Sequence, residues 1–90
     1  MEKMSYKSRK YRFKKRAARI LKQVGYEPIF PQNEVLFDII AIHKKHIRYI
    51  AISLDKPGPE LIGRVRAIQK PGQKEIWYRG DDNQIETICF

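Results

Sequence analysis

The hydrophobic period changes once along this chain, at Gly25, and the change limits what each side of it can fold into. Before it, Tyr6, Phe13, Ala17, Ile20, Leu21 and Val24 recur at steps of three, four and seven, which gathers them on one side of an α-helix. Ser5 is placed to cap the start of that helix, and Gly25 to end it in the left-handed conformation other residues resist. Lys7, Arg12, Lys15, Arg19 and Lys22 fall on the other side. The spacing therefore predicts an amphipathic helix of about five turns with a cationic outer face.

After Gly25 the pattern is that of strands. Tyr26 to Phe30 reads as a short edge strand closed by Pro28 and Pro31. Val35 to His43 and Ile47 to Leu54 are rich in β-branched and aromatic residues and are joined by His43-Lys44-Lys45-His46, as in a hairpin. Both are apolar at nearly every position, so the sheet is expected to be covered on parts of both faces. Pro59 suits the first turn of a second helix, in which Leu61, Val65 and Ile68 share one side. Glu75 to Arg79 is a further strand, Gly80 to Asn83 a turn, and Gln84 to Phe90 a last strand. The expected order is α-β-β-β-α-β-β in one domain over residues 1–90, with the basic helix in 1–25 and the sheet and second helix in 26–90.

Charge is divided at the same point. The chain holds 19 Lys and Arg against 10 Asp and Glu, a net charge of +9. Residues 1–25 hold ten of those cations and one acid, Glu2, whereas residues 26–90 hold nine of each sign. A solvated helix face ordinarily mixes signs, so this run points to a polyanionic partner: nucleic acid first, an anionic membrane surface second. At 42% hydrophobic and 32% charged the composition excludes collagenous, low-complexity and wholly disordered chains. No apolar run approaches the ~20 residues of a membrane span, and no signal-peptide apolar stretch follows the basic start. One cysteine, Cys89, excludes an internal disulfide and a multi-cysteine zinc site, and the cytoplasm is the expected compartment.

The order of elements, the basic helix ending in Gly25-Tyr26, and the acid early in Phe37-Asp38-Ile39-Ile40-Ala41 together resemble the PD-(D/E)XK nuclease fold. Within it the chain is similar to small archaeal and viral Holliday-junction resolvases, which for a viral protein implies the host cytoplasm. The resemblance implies a restriction-endonuclease-like α/β fold: an αβββαβ core with a mixed sheet flanked by helices. It also implies duplex or branched DNA as partner, and a homodimer, for which Trp77 or Tyr78 would be exposed. In that family an Asp and a second carboxylate bind a divalent ion, since a hard cation wants oxygen ligands, and a Lys two residues beyond the second carboxylate assists the attacking water. Asp38 stands at the first position, Ala51 and Ser53 at the second carboxylate and the Lys, and Lys14 where the first helix of resolvases carries a Glu. The resemblance thus implies a vestigial catalytic site holding no metal. Lys14 would pair with Asp38, and the four side chains would converge beside the basic helix.

Each residue also has a plainer reading. Asp38 is a solvated acid if its strand lies at an edge, Asp55 opens the Lys56-Pro57-Gly58 turn, and His43 and His46 are turn residues. Cys89 reads as a small apolar core residue and Phe13 as core by its spacing. Tyr11, on the polar side of the helix, is an exposed ring for contact with bases. The leading expectation is nucleic-acid binding without cleavage. Phosphate contacts would come from Lys7, Arg9, Lys10, Arg12, Lys15, Arg16, Arg19 and Lys22, helped by Arg48, Arg64 and Arg66. The alternatives are an active nuclease using Mg²⁺ or Mn²⁺ with migrated ligands, Asp38 with Asp55 or Glu34, and a module docking on an acidic protein or anionic lipid.

Overall fold

The computed structural model describes residues 6–34 and 36–90. Ser5 and Val35, expected to cap the first helix and to open the second strand, lie outside these residues, as does the side chain of Tyr6. The chain runs α1 (Tyr6–Gln23), β1 (Glu27–Ile29), β2 (Ile39–His43), β3 (His46–Ser53), α2 (Pro59–Arg66), β4 (Gln73–Arg79) and β5 (Ile85–Cys89). It is an α/β protein whose five strands form one mixed sheet in the order β1-β2-β3-β4-β5. All neighbours are antiparallel except β3 and β4, which run parallel because α2 carries the chain back between them.

The two helices cover opposite faces, and the strand pleat sorts the side chains between them. On β3, Ile50 and Ile52 face α1, where they meet Phe13, Ala17 and Leu21 together with Ile39, Ala41, Leu54 and Trp77. Tyr49 and Ala51 belong to the other layer, with Phe37, Ile76 and Val65 of α2. This accounts for strands that are apolar at almost every position. The end of α1 follows from Gly25. At φ +92° it lets the Tyr26 amide donate to the Leu21 carbonyl (2.9 Å) and its own amide donate to the Lys22 carbonyl (3.1 Å). This paired pattern satisfies two carbonyls at the helix end and turns the chain into β1.

One polar cluster lies inside the layer under α1. Glu75, on β4, is fully buried. Its carboxylate accepts two hydrogen bonds from Arg48, from Nε at 2.6 Å and from a terminal nitrogen at 2.7 Å, and a third from the Trp77 indole at 2.9 Å. The forked pair matches guanidinium to carboxylate, and it holds the Arg48 pKa above its ordinary value despite partial burial. Arg48 also lies 4.9 Å from the Tyr26 ring centroid and 5.8 Å from that of Trp77.

Three expectations need correction. Arg48 is committed to Glu75 and so is withdrawn from any phosphate-binding surface. Trp77 is buried rather than available to a dimer partner, because its N–H finds an internal acceptor. Tyr78 is half-buried and bonded to Glu86, which raises the pKa of its hydroxyl. Cys89 is exposed rather than in the core: Ile88 and Phe90 pack toward α2, and α1 lies chiefly over β1, β2 and β3.

Replacing Arg48 with Met leaves a buried carboxylate with only the indole as partner. The variant Arg48→Met is expected to lose about 3–5 kcal/mol of unfolding free energy, and the pair Arg48→Met/Glu75→Leu to regain most of it. Urea denaturation measures both, and a single variant as stable as the parent would contradict this account of the cluster.

Candidate nucleic-acid interface

The four positions singled out by the nuclease resemblance do not meet. Asp38 lies just before β2, where its amide donates to the Ile50 carbonyl at 2.8 Å. Oδ2 accepts from the Ile52 amide at 2.8 Å, so the carboxylate replaces a strand carbonyl where β2 has not yet begun. Oδ1 pairs with Lys10 of α1 at 3.2 Å. The cation opposite Asp38 is therefore Lys10, not Lys14, and Asp38 is a partly buried structural acid. Lys14 instead sits 5.8 Å from the Phe30 ring centroid. Ala51 is buried in the other layer, against the α2 side, and the Ser53 hydroxyl donates to the Asp55 carbonyl at 2.6 Å. The expected convergence beside the basic helix fails because the pleat sends Ala51 to the face that α1 does not cover.

The acids offered as migrated metal ligands are placed elsewhere. Glu34 accepts from the Leu36 amide and pairs with Lys70, each at 3.2 Å, and these contacts hold its pKa below the ordinary carboxylate value, the amide contributing most. Asp55 is exposed in the bend after β3. Among the described residues no three His, Cys, Asp or Glu side chains are grouped closely enough to hold a metal ion. His43 is committed as well: its Nδ1 donates to the Gly25 carbonyl at 2.8 Å, and its ring packs on Tyr26.

The outer side of α1 is what remains. Lys7, Arg9, Arg12, Lys15, Arg16, Arg19 and Lys22 are all exposed, and of the contacts expected from α1 Lys10 is the one drawn inward, to Asp38. Arg64 and Arg66 are exposed on α2, across the sheet, with Arg66 over the Phe90 ring. They belong to a different surface. Among the described residues, none of the seven exposed α1 cations pairs with a carboxylate. Their field is therefore open to a polyanion.

Two exposed rings lie within this field. Tyr11 is 57% exposed and Phe30, just after β1, is 38% exposed. The Lys15 ammonium stands 5.4 Å from both centroids, which sets a cation between two aromatic faces. Tyr11 was expected from its position on the polar side of the helix. Phe30 was not, since only the return of the chain along β1 brings it to Lys14 and Lys15. No protein-family model matches the chain, and comparison with curated proteins and with solved structures likewise finds no match.

Removing the acceptor at position 38 strands the Ile52 amide. Asp38→Ala is expected to cost about 1–3 kcal/mol and Asp38→Asn less, since an amide oxygen still accepts. Lys14→Met should stay within about 0.5 kcal/mol of the parent, as a substitution away from buried contacts does. Chemical denaturation of the three variants checks the order, which a larger loss for Lys14→Met would reverse.

Proposed function

We propose that this protein binds nucleic acid through the outer face of α1 and does not cut it. The observation that carries the reading is the set of seven exposed, acid-free cations on one helix, held outward because the opposite stripe is buried on the sheet. Each Lys or Arg that meets a phosphate releases a condensed counterion, so binding is mainly indifferent to sequence and falls steeply with salt. Tyr11 and Phe30 add flat apolar faces on which unpaired bases stack.

The order of elements, with α2 crossing between parallel strands, supports a nuclease-like scaffold and with it duplex or branched DNA as the preferred partner. Binding without cleavage is supported by Asp38, whose two oxygens are already occupied by the Ile52 amide and Lys10.

Fluorescence anisotropy with a labelled duplex and a four-way junction, over a series of salt concentrations, tests the proposal. Each of Lys15→Ala, Arg19→Ala and Lys22→Ala is expected to weaken binding to all sequences alike and to lower the salt slope by about 1. Tyr11→Ala should weaken single-stranded binding by about 1–3 kcal/mol and duplex binding much less. Failure to retain duplex, junction or single strand at moderate salt would refute the proposal and favour an acidic protein or anionic lipid as the partner of this face.

A further inference from the structure

Between the N-terminal half of α1 and the end of β4 lies a cleft of about 280 Å³. Four of its seven lining residues are arginines: Arg9, Arg12 and Arg16, one side of α1 by their spacing of three and four, and Arg79, the last residue of β4. Phe13 and Leu54, both nearly buried, form its floor, and none of the lining residues is an acid. Arg16 donates to the Asn83 carbonyl at 2.9 Å, which orients the guanidinium without cancelling its charge. Arg79 also borders a neighbouring cleft that includes Asp55, Asp81 and Glu86, and this marks the limit of the cationic pocket on that side.

Four arginines lining one concave space, with no acid among the lining residues, concentrate positive charge that an anion would neutralise. Their planar forks suit phosphate oxygens, which they grip two at a time. A phosphodiester inside a duplex carries one charge and lies on a convex rod, so it meets the outer face of α1 but does not enter a cleft. A terminal phosphate monoester carries nearly two charges at neutral pH, three free oxygens, and no strand beyond it. We propose that this cleft takes the terminal phosphate of a nucleic-acid strand. The proposal rests on the nucleic-acid reading above and adds recognition of strand ends to it.

The test uses one duplex sequence prepared with 5′-phosphate, 3′-phosphate or hydroxyl ends, titrated against the full chain by anisotropy at fixed salt. A phosphate at one end is expected to raise affinity at least tenfold over hydroxyl ends, the least that a charged hydrogen-bonded pair contributes. Arg79→Gln should reduce that difference severalfold and Arg79→Lys should reduce it less, with thermal unfolding showing that both variants fold. Equal affinity for all three duplexes, or an end preference unchanged in Arg79→Gln, overturns the proposal while leaving the nucleic-acid reading in place. No binding of any duplex overturns both.

Discussion

The structure depends on the seating of α1 on the sheet. Ala17 and Leu21 are fully buried and Phe13 nearly so, against Ile50, Ile52 and Trp77. Full burial of a Leu or Phe is worth about 1.5–3 kcal/mol, a large share of what a domain of this size can gather. Because these three residues recur at four-residue steps, their burial fixes the rotation of the helix. Every cation on the far side is then held in solvent, whatever partner it meets. The charged face thus follows from how the core packs.

Polar groups inside the fold keep that seating in register. Glu75 is buried on the face that α1 covers, and the forked pair with Arg48 and the Trp77 N–H satisfy it where water is absent. Asp38 does comparable work at the opening of β2, tying the Ile52 amide of β3 to Lys10 of α1. These two acids stand where a search for catalytic carboxylates would look first. Their partners show them holding strand to strand and strand to helix.

Local chemistry was readable in the sequence, and long-range placement was not. The end of α1 at Gly25, the hairpin around Lys44, the first turn of α2 at Pro59 and the burial of both sheet faces follow from residue type and period. Lys10 and Lys14 are one helical turn apart on the same side, so the choice between them as partner of Asp38 depends on where α1 lies along the sheet. Arg79 reaches the arginines of α1 only because β4 ends beside the helix. Trp77 is buried in the α1 layer, whereas Cys89, the last residue of the edge strand β5, is exposed. Each of these outcomes is set by an offset between elements, which period and composition do not encode.

The proposed division of α1 sets an outer face for nucleic acid against an inner face that holds the fold together. The most direct measurement is a map of backbone amide NMR shifts as duplex DNA is titrated into the full chain. The shifts are expected to concentrate on α1 from Lys7 to Lys22, with Phe30 and Arg79 beside it, while α2 stays unmoved. Shifts centred on α2, around Arg64 and Arg66, with α1 unchanged, would contradict that division.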